Sequence, residues 1–211
     1  FLVPPSVPSL QLKPSRGKGP GLLAQFFNNK TCTGKPVLER VEPNVDFWSW
    51  GKLPAKDLAE TYSLRFSGWF QVPQTGTYRL LATAPGALKF SVDGKSLGEQ
   101  SLPTTLDADP WRKIEKEVSL REGHWHSIVI EYTHPAFMFF SAVRFCAGRT
   151  SQDGFKQEIA QAASLAAQCD ATVVVVGYPD DFESECRDRA DLALPGAQVR
   201  LIEAVARANS R

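Results

Sequence analysis

From about residue 21 to residue 148 one periodicity governs the chain, and it is two. "TYSLRFSGWF" sets Tyr62, Leu64, Phe66 and Phe70 on one side of an extended backbone and Ser63, Arg65 and Ser67 on the other. Successive side chains of a strand point to opposite faces, so the stretch predicts a half-buried strand. The pattern then repeats between turns. "QVPQTGTYRLLAT" supplies a Pro-to-Gly turn followed by another strand. "LKFSVDGKSL" aligns Leu88, Phe90 and Val92 and breaks at Asp93-Gly94, a pair suited to the positive φ angles of a tight hairpin. "HSIVIEY" aligns Ile128, Ile130 and Tyr132, and "AFMFFSAVRF" closes the region with an aromatic-rich run. Short strands at this spacing predict a β-sandwich or barrel. Residues 1–20 carry five prolines and no period, and read as an extended lead-in.

After Gly148 the periodicity changes. "DGFKQEIAQAASLAAQC" spaces Phe155, Ile159, Ala162, Ala166 and Cys169 as a helix would, with Asp153 as its N-cap. "ATVVVVG" is a continuous β-branched run, the signature of a strand covered on both faces. "LPGAQVRLIEAVARAN" places Val199, Ile202, Val205 and Ala206 on one helical face. Helix, buried strand, loop and helix make α/β grammar, yet one strand cannot make a sheet. This module must borrow strands from segments outside these residues or from another copy. The expected fold class is therefore mostly β with an α/β portion: a lead-in over 1–20, a β-sandwich over 21–148, and a partial helix-strand-helix α/β domain over 149–211.

Composition removes several functions. The formal net charge is +1 and no Lys/Arg run is present, so no nucleic acid is expected as a partner. No apolar stretch approaches the roughly 20 residues that span a bilayer, so no membrane is expected either. Four scattered cysteines, Cys32, Cys146, Cys169 and Cys186, lack the close pairing of a zinc site. Buried or idle thiols are the plain expectation, with a Cys32–Cys146 bridge as the alternative if the protein is secreted. Asn29-Lys30-Thr31 fits the glycosylation acceptor pattern, one that also arises by chance.

Behind the valine run the chain gathers Asp180, Asp181, Glu183, Glu185, Arg187, Asp188 and Arg189 in one loop. Loops at the carboxyl ends of strands are where open α/β sheets bind ligands. Phosphate would find a single glycine, Gly177, and then negative charge instead of a cradle of amides. Calcium would find neither the spacing nor the turning glycine of a calcium loop. A solvated connection with Asp/Arg pairs and half of an acid–base catalyst both fit these residue types.

Two family resemblances carry the reading further. "VVVVG…FESECRDRADLALPGAQVRLIEAVARAN" resembles the α/β domain of glycoside hydrolase family 3, whose loop has the form Glu-x-Glu-Gly-x-Asp-Arg ahead of an "LPG.Q" helix entry. The likeness covers roughly residues 155–209, with Cys186 standing where the family carries Gly. It implies that Glu185 is the general acid/base, with Glu183 the next candidate and Asp188 and Arg189 shaping the loop. "GLLAQFFNN", "GKPVLERVEPNVDFWSWG", "YSLRFSGWFQVPQTGTYRLLATAPGALKFSVDGK" and "HSIVIEY" together look like the protective-antigen (PA-14) domain, a β-sandwich found in toxins, adhesins and glycosidases. Some family 3 β-glucosidases carry that module immediately before the acid/base loop, the order seen here.

The resemblance implies a fragment of a retaining β-glucosidase, with a β-glucoside or oligosaccharide as substrate and no cofactor. The family's nucleophile is an aspartate in a Ser-Asp-Trp phrase of a (β/α)₈ barrel, and these residues hold neither. The barrel domain is thus an expected partner, and the chain alone is expected to be inactive. Phe47, Trp48 and Trp50 are candidate walls for a sugar face, against the alternative that they fill the sandwich core. A stand-alone carbohydrate-binding module is the second functional expectation. Adhesin relatives grip sugar through calcium on adjacent aspartates; residues 21–148 have no Asp-Asp pair, "DADP" at 107–110 coming nearest, so no metal is expected. The exposed apolar faces of half an α/β domain also invite a homodimer or strand exchange.

Overall fold

A computed structural model describes residues 7, 11–51, 53–102, 111–150, 155–178 and 191–209. The chain divides into a β unit that ends at Arg149 and a second unit that begins at Thr150. Asp153, Glu183, Glu185, Cys186 and the rest of the charged loop lie outside the described residues, as does "DADP".

The β unit contains β1 (Leu12–Pro14), β2 (Leu22–Phe27), β3 (Leu38–Glu42), β4 (Asp46–Trp50), β5 (Ser63–Phe70), β6 (Gly76–Ala84), β7 (Ala87–Val92), β8 (Lys95–Gln100), β9 (Arg112–Leu120), β10 (His126–Thr133) and β11 (Phe140–Arg149). They form two antiparallel sheets. One runs β3-β2-β5-β10-β7-β8 with β1 added along β5, and the other runs β4-β11-β6-β9. The residues that the two-residue period set on one side are the core: Tyr62, Leu64, Phe66, Phe70, Leu88, Phe90, Val92, Ile128, Ile130 and Tyr132 are all buried. Phe145 of the smaller sheet ties the layers together. Its ring lies 5.5 Å from Phe70 and 5.7 Å from Phe90, both on the larger sheet. Edge-to-face pairs of this kind add about 0.5–1.5 kcal/mol beyond the burial of their area.

The outward side chains of the larger sheet explain its register. Glu39, Gln25, Arg65, Glu131, Lys89 and Glu99 stand opposite one another from strand to strand, a single polar row across β3, β2, β5, β10, β7 and β8. Gln25 Nε2 donates to Glu39 Oε1 at 2.6 Å, Arg65 Nε to Glu131 Oε1 at 2.8 Å, and Lys89 Nζ sits 2.8 Å from Glu99 Oε1. Each exposed pair contributes little, about 0.2–1 kcal/mol. A one-residue slip, however, would turn this row into the core and the core into water. The Asp93-Gly94 turn has the anticipated positive angles, φ 50° and 72°.

The lead-in does more than lead in. Leu12–Pro14 pairs with Phe70–Gly68, and Leu12 is buried. The close crossing explains Gly68: a Cβ there would sit 2.2 Å from the Lys13 carbonyl oxygen. Cys32 and Cys146 form no bridge. Cys32 follows β2 of the larger sheet while Cys146 lies on β11 of the smaller one, and both are buried outside any disulfide. Burial pushes the Cys32 thiol upward, against a hydrogen bond with Ser63.

The second unit holds α1 (Lys156–Ala166) and α2 (Gln198–Ala208), packed against the extended segment 171–178. The valine run does not pair into a sheet among the described residues. Its alternation survives: Val174 and Val176 are half-buried, while Val173 and Val175 are each 88 % exposed. A strand meant to be covered on both faces has one cover here. The helical face of α2 also turns out differently from the expectation. Val205 is buried and Leu201 half-buried, but Val199, Ile202 and Ala206 are exposed. The helix carries two apolar stripes, and only one finds a neighbour within these residues. Among the described residues no helix is long and apolar enough to cross a membrane.

Candidate functional site

Strand β4 splits the candidate aromatics between its faces. Phe47 turns inward, is 8 % exposed and packs its ring 6.0 Å from Phe26 across the sandwich. It is a core residue, so the sugar-wall expectation fails for it. Trp48 and Trp50, one and three residues further along the strand, turn outward and are 53 % and 66 % exposed.

Register then assembles a platform. Trp50 stands opposite Phe140 on β11, and Trp48 opposite Ala142. Trp50 stacks on Phe140 at 5.5 Å and 22°, and meets Phe139 edge-on at 4.6 Å. Trp48 contacts Phe140 at 5.4 Å and Trp111 at 6.0 Å. Phe139 is 59 % exposed and Trp111 38 %. Large aromatics left facing water in a contiguous group mark an interaction surface more often than scattered ones do. Their rings are held by one another and by a sheet, so little side-chain freedom would be lost on binding. Two-residue periodicity does not bring Trp111, Phe139 and Phe140 into the candidate group. The "FMFF" run was visible, but only strand register shows that Phe139 and Phe140 meet Trp50.

Beside the platform lies a cleft of about 180 Å³, whose lining includes Phe139, Phe140, Met138, Ser141, His134 and Tyr62. Tyr62, His134 and Ser141 are buried. The Tyr62 ring stacks on the His134 imidazole at 4.9 Å. His134 Nδ1 and the Tyr132 hydroxyl share a hydrogen bond of 2.8 Å. Burial holds the His134 imidazole below its ordinary value, partly offset by its hydrogen bond to the Met138 backbone. Burial likewise pushes the Tyr62 hydroxyl up to about 12, with the Ser141 hydroxyl acting against it. Both groups are neutral near pH 7.

In the second unit the loop that bears Glu185 is held at both ends. Gln198, the Gln of "LPGAQ", grips Gly177 twice: its Oε1 accepts from the Gly177 N–H and its Nε2 donates to the Gly177 carbonyl, each at 2.8 Å. The Tyr178 hydroxyl donates to the Leu192 carbonyl at 2.7 Å. Asn209 ties α2 to the end of α1 through the carbonyls of Ala166 and Cys169. These bonds fix where the loop leaves and rejoins the unit. Among the described residues no group of three or more His, Cys, Asp or Glu is placed to hold a metal ion.

A two-sheet antiparallel sandwich with an aromatic platform on its smaller sheet defines the class of this module. The PA14 domain model matches residues 18–145, and the chain belongs to that family. Along most of its length the chain is also similar to β-glucosidases. It is 28 % identical to a β-glucosidase of Rhizobium radiobacter over 203 residues, 89 % of this chain and 24 % of that protein. It is 24 % identical to a β-glucosidase of Kluyveromyces marxianus over 217 residues, 93 % of this chain and 25 % of that protein. A crystal structure of the Kluyveromyces marxianus β-glucosidase in complex with glucose shares its fold, with a TM-score of 0.67 and 22 % identity over 99 % of this chain and 25 % of that one. The chain therefore spans about a quarter of the length of these curated relatives.

Proposed function

We propose that the chain contributes two functions to a retaining β-glucosidase: sugar recognition by the PA14 sandwich and proton donation by Glu185. The observation that carries the first part is the exposed group of Trp48, Trp50 and Phe139, backed by the half-buried Phe140, on the smaller sheet. A pyranose has one apolar C–H face, and covering it with an indole removes both surfaces from water without demanding a charged partner. The second part rests on the resemblance of the 155–209 segment, supported by the similarity to β-glucosidases.

Retaining hydrolysis needs an acid/base and a nucleophile about 5–5.5 Å apart. Glu185 would protonate the leaving oxygen, then take a proton from the water that releases the sugar. Acids close to it in sequence would favour its protonated form, and Arg187 and Arg189 would oppose that. The nucleophile would come from a barrel domain, so the chain alone binds sugar and turns none over. The experiment is to replace Glu185 by Gln in the chain joined to that domain. The expected result is a roughly 10²–10⁴-fold loss on glucosides with poor leaving groups and a much smaller one on dinitrophenyl glucoside, whose leaving group needs no proton. Equal losses on both, or none, refute the acid/base role.

A stand-alone carbohydrate-binding module is the second reading, favoured by the fact that the platform lies wholly within the β unit. It expects sugar binding to survive in full while Glu185→Gln changes no activity in the joined enzyme.

A further inference from the structure

Within the cleft beside the platform, one polar group stands apart from its neighbours. Tyr132 and His134 satisfy each other at 2.8 Å, and the His134 ring is also engaged by the Met138 backbone. The Tyr62 hydroxyl is fully buried and lacks a hydrogen-bond partner of acceptable geometry. Ser141 is close enough to influence its acidity but does not complete the bond. A buried hydroxyl left in this state costs about 1–3 kcal/mol, and the residue that carries it is among those lining the cleft beside Phe139 and Phe140. This is the arrangement of a subsite waiting for a ligand's polar atom.

The size of the cleft limits that ligand. About 180 Å³ falls short of the roughly 300–1,000 Å³ of pockets that enclose a drug-sized molecule. It admits an arm of a sugar while the ring stays outside on the aromatic platform. A β-glucoside has one such arm: the exocyclic hydroxymethyl, which carries its oxygen one carbon beyond the ring. A β-xyloside has the same ring without it. Phe139, Phe140 and Met138 would surround the CH₂, and the Tyr62 hydroxyl, protonated and able to donate or accept, would meet the oxygen. The walls and the floor match both halves of the group.

We infer that the Tyr62 cleft is a specificity subsite that holds the hydroxymethyl group of a hexopyranose seated on Trp50 and Phe139, so that this module prefers glucosides to xylosides. The inference deepens the proposed recognition role and rests on it. A site built to hydrogen-bond a hydroxyl disfavours the analogue that lacks it, because its own polar group then stays unpaired.

The test is a calorimetric or NMR titration of the purified chain with methyl β-glucoside and methyl β-xyloside. The wild type should bind the glucoside roughly tenfold more tightly. Tyr62→Phe keeps the ring and its stacking on His134, and should bring that ratio close to one while leaving the xyloside affinity unchanged. The unchanged xyloside affinity also reports that the variant is folded. A preserved ratio in Tyr62→Phe overturns the subsite and leaves the platform standing; binding of neither sugar overturns the recognition role and the subsite together. Should Tyr62→Phe fail to fold, saturation-transfer NMR on the wild type decides. Strongest saturation at the two H6 protons of the glucoside supports the subsite, and saturation confined to the ring protons contradicts it.

Discussion

Trp50→Ala separates recognition from stability. The side chain is 66 % exposed, and an aromatic of this size offers up to about 250 Å² for burial, leaving about 165 Å² facing water. One face is already stacked on Phe140, so about half of that area, ~80 Å², is open to a sugar. At about 25 cal/mol per Å² the covered face is worth about 2 kcal/mol, or a roughly 30-fold change in Kd. The same substitution removes contacts with Phe139, Phe140 and Trp48, each worth about 0.5–1.5 kcal/mol when well packed and less on a wet surface. Stability should therefore fall by only about 1–2 kcal/mol, which lowers Tm by roughly 2–8 °C in a chain of this size. Titration with cellobiose by calorimetry, alongside a thermal melt, reads both numbers. Sugar affinity unchanged in a folded Trp50→Ala variant would refute the stacking argument. A loss of affinity that tracks unfolding would refute the claim that the residue acts at the surface.

The core makes a contrasting expectation. Phe145→Ala removes the ring that touches Phe70 and Phe90 from the opposite sheet, and should cost about 3–5 kcal/mol, read from the midpoint of a urea melt. Gln198→Leu deletes both bonds to Gly177. Hydrogen–deuterium exchange at the Gly177 amide should accelerate while exchange in β5 and β10 stays unchanged; protection retained at Gly177 would show that the clamp is idle. His134 makes stability depend on pH. Burial lowers its folded value from 6.5, so below about pH 6.5 the unfolded chain binds the extra proton, and stability is full above that pH and declines as pH falls toward the folded value. His134→Gln should flatten that decline in melts across pH 4–8. Asp93 acts in a separate window. Burial raises its carboxyl, but hydrogen bonds from His126 and the Ser127 N–H outweigh it and hold the group below its ordinary 3.8. Its contribution is thus lost only as pH falls below about 3.8.

The sandwich was legible because its strands are half-buried. Tyr62, Leu64, Phe66 and Phe70 on one side, Ser63, Arg65 and Ser67 on the other, is a pattern only a sheet with one dry face requires. Pairing was less legible, since two-residue alternation says which face a side chain takes and not which strand lies opposite. Alternation alone sends Phe47 to the face opposite Trp48 and Trp50, whereas only the pairing of β4 with β11 brings Phe140 to Trp50. Leu12–Pro14 escaped because three residues carry no period. In the second unit the sequence spoke for a larger assembly. Val173, Val175 and the exposed stripe of α2 find no cover among the described residues, and the grip of Gln198 on Gly177 is visible only in three dimensions.

The five tryptophans provide a direct test of the recognition surface. Trp48, Trp50 and Trp111 meet on the smaller sheet, whereas Trp69 and Trp125 flank Lys13, with Trp69 on β5 of the larger one. In a chain labelled with ¹⁵N-tryptophan, cellobiose should move the indole N–H signals of the first three and leave Trp69 and Trp125 in place. Movement of Trp69 and Trp125 alone, or of no indole at saturating sugar, would contradict a glycan-binding platform on this face.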